Sequence, residues 1–151
     1  MGILTLVGLY YLQDLGPQNR RSNYITRLNT NLFSARAYAI YNNHNITICP
    51  SINEQCVTNW QNDIMVFIDM DNNQNRGTDE QILRILEMPS AGDTISYPRN
   101  ALTFRPTGAL AGFQSGSFIY CSVDTKLNKP AKRIVVSQAG RLRVKLDSNK
   151  C

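Results

Sequence analysis

Two stretches of this 151-residue chain have the residue types to do chemistry. In Arg141-Leu142-Arg143-Val144-Lys145-Leu146, cation and aliphatic alternate without a slip. Side chains on a strand point to alternate faces, so Arg141, Arg143 and Lys145 would stand in one row while Leu142, Val144 and Leu146 face a core. Neighbours in that row would lie about 6.6 Å apart, at a rise of about 3.3 Å per residue. Three like charges at that spacing repel each other, and a polyanion relieves the repulsion; guanidinium groups also suit bidentate phosphate contacts. Gly140 would form the turn that presents the row, and Lys126, Lys129, Lys132 and Arg133 would add a second basic edge from upstream. The plainer reading is an edge strand whose cations keep one face solvated and discourage aggregation.

The second stretch, Asp69 to Glu80, has Asp69, Asp71, Asn73 and Glu80 where a calcium loop has its first, third, fifth and twelfth positions. Against that reading, the sixth position is Gln74 instead of glycine, Arg76 puts a cation inside the loop, and the flanks read as strands. The sequence is therefore read here as a polar β-hairpin connection.

Charge distribution singles out the C-terminal stretch. The chain carries +5 overall, but from Lys126 onward there are eight cations against Asp147 alone, a net of +7, while the preceding 125 residues carry −2. All five lysines lie in that last segment. Composition excludes much else. One histidine, His44, rules out a multi-histidine metal site, and no phosphate-cradling glycine loop, zinc-protease helix, nucleophile elbow or dinucleotide fingerprint occurs. The chain reads as a non-enzyme with no cofactor and no metal.

Four cysteines, Cys49, Cys56, Cys121 and Cys151, form no C-x-x-C and allow three pairings. Local spacing favours Cys49–Cys56 with Cys121–Cys151, which would stabilise by roughly 2.5 and 3.7 kcal/mol on the chain-entropy model. A disulfide-permissive compartment fits these pairings; four reduced thiols are the other reading.

The elements that must position these residues are legible in the pattern. Ile25, Leu28, Leu32, Ala35 and Ala39 step by 3, 4, 3 and 4 residues, which predicts an amphipathic helix from Asn19 to Tyr41. Asn42-Asn43-His44-Asn45 ends it, with His44 as a solvated cap residue. Seven strands are expected after residue 45, at Ile46–Cys49, Ile64–Asp69, Gln81–Met88, Ala101–Arg105, Ser117–Val123, Arg133–Ser137 and Arg141–Leu146. One long helix followed by such strands means α+β, with the helix's apolar stripe covering a mostly antiparallel sheet. Ile3 to Leu12 is apolar but about half the ~20 residues of a membrane span, and Gly16-Pro17 is expected to interrupt any helix.

The order of these pieces resembles the GspH/FimT family of minor pseudopilins of type II secretion and type IV pilus systems. Trp60-Gln-Asn-Asp-Ile-Met-Val-Phe-Ile-Asp69, Phe104-Arg-Pro-Thr-Gly108, Gly116-Ser-Phe-Ile-Tyr-Cys121 and Arg133-Ile-Val-Val-Ser-Gln-Ala-Gly-Arg-Leu-Arg-Val144 carry the resemblance, which covers roughly residues 19 to 146. It implies a type IV pilin-like fold, anchorage in the bacterial inner membrane, a periplasmic domain and assembly with other pilins in a filament. Residues 1–17 would then be a truncated remnant of the transmembrane helix and 18–151 the periplasmic domain; the prepilin cleavage motif and the glutamate of the mature helix are not found.

The FimT branch further implies DNA binding in natural transformation through a C-terminal G-R-x-R motif, here Gly140-Arg141-Leu142-Arg143. Binding would be backbone-dominated and sequence-tolerant. Phe113, Phe118 and Tyr120 are candidates for base stacking, with core packing the competing role. The alternative is a structural subunit that works through protein contacts only.

Overall fold

Ile25, Leu28, Leu32, Ala35 and Ala39 are all buried, and together they form one face of α1 (Gly16–Asn42). Leu28 and Leu32 have no exposed surface, so truncating either to alanine would cost about 2–5 kcal/mol. The computed structural model describes residues 16–122 and 131–147. Residues 1–15 fall outside that range, as does the reading of them as part of a membrane remnant; among the described residues no helix is long and apolar enough to cross a membrane. Gly16 and Pro17, expected to interrupt a helix, instead belong to α1. A proline near a helix start has the right fixed φ and loses little by lacking an N–H. Asn43 (φ 57°) takes the left-handed conformation that ends α1. His44, expected as a solvated cap, follows it and is half-buried.

Among the described residues nine strands follow: β1 (Ile46–Ile52), β2 (Gln55–Cys56), β3 (Asp63–Ile68), β4 (Ile82–Leu86), β5 (Thr94–Ser96), β6 (Leu102–Phe104), β7 (Gly116–Cys121), β8 (Ala131–Val136) and β9 (Leu142–Asp147). All pairings are antiparallel. The first sheet runs β2-β1-β3-β4 with β6 also on β1, and the second runs β5-β7-β8-β9. The seven expected strands are present. The two additional ones, β2 and β5, have two and three residues, too short to show a periodicity.

α1 packs against strands of both sheets, and one core unites them. Ile46 and Ile48 of β1, Ile64 and Val66 of β3, and Phe118, Tyr120, Ile134 and Val136 of the second sheet belong to it. An aromatic group joins the sheets: Trp60 meets Phe118 edge-on at 5.2 Å, and Phe118 stacks on Tyr97 at 4.2 Å. The buried Trp60 indole donates to the Arg99 carbonyl at 2.7 Å, so its polar edge is satisfied. Phe118 and Tyr120 are thereby core residues with no exposed surface.

The first sheet is buried on both faces. Cys49, Met65, Phe67 and Ala101 form a second, smaller cluster on the side away from α1. That is why β3 reads, after Asp63, as a continuous apolar run instead of an alternating one. The Cys49–Cys56 disulfide links β1 to β2 (Cα–Cα 5.7 Å). Cys121 is also disulfide-bonded; Cys151, its expected partner, lies outside the described residues.

Candidate nucleic-acid interface

The basic strand is positioned by a tight turn between β8 and β9. The Gly140 N–H donates to the Ser137 carbonyl at 2.9 Å and the Ser137 N–H to the Arg141 carbonyl at 3.0 Å. The Arg141 N–H in turn donates to the Ser137 hydroxyl at 3.0 Å. Gly140 is buried with φ 86°, and a Cβ there would lie 1.9 Å from the Gly108 carbonyl oxygen. Arg36 Nε donates to that same oxygen at 2.9 Å. Gly108 is itself at φ 85°, and its Cβ would meet Ile40 at 2.9 Å. Thus the glycines of Phe104-Arg-Pro-Thr-Gly108 and Gly140-Arg-Leu-Arg143 meet beneath one arginine of α1. The two loops are further joined by the Leu110 N–H donating to the Gln138 carbonyl at 3.0 Å and by the Gln138 amide donating to the carbonyls of Leu110 and Gly112.

From this anchor β9 runs along β8 with Leu142 opposite Val136, Arg143 opposite Val135, Val144 opposite Ile134, Lys145 opposite Arg133 and Leu146 opposite Lys132. Directly opposed residues of an antiparallel pair share a face. Arg143, Lys145 and Arg133 therefore lie on the outer face, and Arg141, at the head of the strand, continues the same parity. Arg141, Arg143 and Lys145 are exposed and Arg133 is half-buried. Among the described residues no carboxylate pairs with Arg141, Arg143 or Lys145.

Lys132 departs from the expected basic edge. It stands opposite Tyr120 and Leu146, on the face turned toward α1. The register permits nothing else, since Lys132 and Arg133 are consecutive and must point apart. Lys126 and Lys129 lie outside the described residues.

A second correction concerns the aliphatic half of the strand. Leu142 packs against the core as expected, but Val144 is 50% exposed and Leu146 66%. Among the described residues β9 is an edge strand with β8 as its one partner, and cover for its inner face comes from α1 and the core at the Leu142 end.

Beside the row lies an open groove of about 730 Å³ lined by Phe33 and Arg36 of α1 and by Ala139, Arg141, Leu142 and Arg143, among others, with no acidic side chain among the described residues that line it. Phe33 is 64% exposed. Neither Phe33 nor Arg36 was singled out in the sequence. The available signal was Phe33's place in the helix, an aromatic residue off the buried stripe, next to Leu32. Of the aromatic candidates, Phe113 is 91% exposed but does not line this groove, and Phe118 and Tyr120 are fully buried.

The family model for the type II transport protein GspH matches residues 25–140, more than three-quarters of the chain. The chain belongs to the GspH family. As a GspH-family protein it is a minor pseudopilin of the kind found in type II secretion and type IV pilus systems. Its fold is shared with the type IV minor pilin FimU of Pseudomonas aeruginosa, at TM-score 0.65 and 19% identity over 93% of this chain and 95% of that one. It is shared too with the minor pseudopilin EpsH of the Vibrio cholerae type 2 secretion system, at TM-score 0.55 and 10% identity over 85% of this chain and 94% of that one. No curated protein matches the sequence. The family match stops at Gly140, so the cation row of β9 lies just beyond the stretch that establishes membership.

Proposed function

We propose that this minor pseudopilin binds DNA without sequence specificity through the outer face of β9 and takes part in DNA uptake during natural transformation. It acts by binding and not by catalysis, from the periplasmic side of the inner membrane, in a filament with other pilins. The observation that carries the reading is the exposed row Arg141, Arg143, Lys145 on the outer face of an edge strand, with Asp147, at the far end, as the one acid of β9. Such a row repeats at about 6.6 Å, close to the spacing of phosphates along one strand, so successive cations can follow a backbone without reading bases. The groove adds Phe33 and Arg36 beside the two arginines, a combination of aromatic face and guanidinium that suits an unpaired base. The strand supplies phosphate contacts to either form of DNA, and Phe33 favours the single strand.

Fluorescence anisotropy with DNA of unrelated sequences tests this. If each cation of the row neutralises one phosphate, log K falls with log salt at a slope of about −2 to −3. Undiminished binding by a folded Arg141→Ala/Arg143→Ala protein at equal salt would falsify the assignment.

Exposed Val144 and Leu146 favour a second reading, in which the inner face of the same edge strand is a protein contact within the filament. A Leu146→Glu protein that fails to assemble while its DNA affinity is unchanged would assign the two faces of β9 to two partners. Loss of assembly together with wild-type DNA affinity in the double arginine variant would leave the protein-contact role alone.

A further inference from the structure

The loop joining β3 to β4 lies on the side of the first sheet away from α1, and two of its carboxylates, Asp69 and Glu80, are buried. Asp69 is 1% exposed and Glu80 7%. Asp69 Oδ2 accepts from the Thr47 hydroxyl at 2.8 Å and from the Gln74 N–H at 3.0 Å. Its other oxygen, Oδ1, is also shielded from solvent and has no donor among the described residues. A buried carboxylate oxygen left without a donor is costly, and the cost grows when the charge has no counterion. Here the neighbours add to it. Asp69, Asp71 and Glu80 each present an oxygen, and the three atoms lie within 4.8 Å of one another.

Two of the three sequence objections to a cation lapse in the folded loop; the third holds, since β3 and β4 flank it, so the loop is not a helix–loop–helix calcium site. Gln74, at the position where a calcium loop has glycine, adopts φ 61° and so makes the glycine-type turn itself. Arg76 does not enter the carboxylate group. Its Nε donates to the Glu80 carbonyl at 3.0 Å, and its guanidinium continues outward to Glu54 at 3.5 Å. The loop's own cation is thus spent on a backbone oxygen and a separate acid, and three carboxylates face one another without it. Burial raises the Asp69 carboxyl above the usual carboxylate range, and Asp71 and Glu80 push it the same way.

We propose that the β3–β4 loop is a calcium site, with Asp69 through its free Oδ1, Asp71 and Glu80 as the carboxylate ligands. Oxygens bound to one calcium ion at about 2.3–2.6 Å stand at most about 5 Å apart, which the 4.8 Å limit meets. Three carboxylates with no histidine or cysteine among them select a hard cation over zinc, and magnesium would keep more of its own water. Glu80 is held ready by the Met70 N–H at 2.6 Å and the Gly77 N–H at 2.7 Å, one on each oxygen. Bound calcium would neutralise the buried charge and fasten the loop over the Cys49, Met65, Phe67 and Ala101 cluster.

Thermal unfolding of the chain, first stripped with EDTA and then given 2 mM calcium chloride alone, tests the site. A rise in Tm of about 4 °C is expected for a site of roughly 0.2 mM affinity, with a smaller rise in 2 mM magnesium. Asp69→Asn is buried and can fail to fold, so the deciding variant is Asp71→Asn, whose side chain is exposed. It should lose the calcium-dependent rise and, in EDTA, unfold no lower than the parent, because one of three repelling charges is gone. No rise in the parent protein, or an undiminished rise in Asp71→Asn, would overturn the proposal.

Discussion

The β8–β9 hairpin and the β3–β4 loop both gather like charges, and the fold treats them in opposite ways. Arg141, Arg143 and Lys145 are spread along an exposed edge, where water screens each one. Asp69 and Glu80 are drawn under the surface, and Asp71 completes the group within 4.8 Å. Exposed charges at strand spacing cost the fold little, and they fit a partner as long as the row, a polyanion. Buried charges of one sign cost a great deal and fit a partner that enters the gap between them, a small cation. The shape of a charged ligand follows from whether the fold spreads its own charges or concentrates them.

Substitutions can break or sharpen that contrast. The largest effect is expected not from a charge but from the anchor of the basic row. Gly140→Ala places a methyl against the Gly108 carbonyl at a positive φ, and it should destabilise by about 3 kcal/mol or more. A fall in Tm and loss of the near-ultraviolet circular dichroism signal at 25 °C would show it; a Gly140→Ala protein with the parent Tm would refute the interlocked-loop geometry. Arg141→Ala/Arg143→Ala comes next. Tm should stay within about 2 °C, as for exposed residues, while DNA affinity falls at least tenfold and the salt slope becomes shallower by about 2.

Phe33→Ala is expected to weaken single-stranded DNA binding about tenfold, the loss of one stacked base, and to leave duplex binding within twofold. Equal losses for both forms would remove Phe33 from a stacking role. Lys132→Ala should change DNA affinity less than Lys145→Ala does, because it stands on the opposite face of β8; a larger effect would contradict the register. The smallest effects expected are crossed ones. Asp71→Asn should bind DNA as the parent does, and the double arginine variant should keep its calcium-dependent rise in Tm, since distant sites with no shared partners act independently.

Much of this was legible in the residues. The 3-and-4 stepping of Ile25 to Ala39 has few solutions other than one buried helix face, and seven strands announced themselves by apolar content between turn residues. The basic row was visible because its alternation has the period of a strand. What escaped detection depended on neighbours. β2 and β5 exist because β1 and β7 offer them open edges, and two or three residues carry no pattern of their own. Lys132 and Arg133 looked like one basic edge, and pairing to β9 sent them to opposite faces. Phe33 and Arg36 are more than a hundred residues before Arg141, and the helix crossing beside the hairpin is what puts them in one groove.

The sequence alone determined the helix, its buried stripe, the strand-forming runs and the excess of positive charge near the C-terminus, because each is a property of residues adjacent along the chain. Tertiary structure decided which of those charges stay in water. Position at a sheet edge left Val144 and Leu146 uncovered despite their apolar character, and the turn at Gln74 folded Asp69 inward despite its charge. Burial is set by what packs on a residue from elsewhere in the chain, and that is why two charged segments of similar prominence in the sequence present such different surfaces to a ligand.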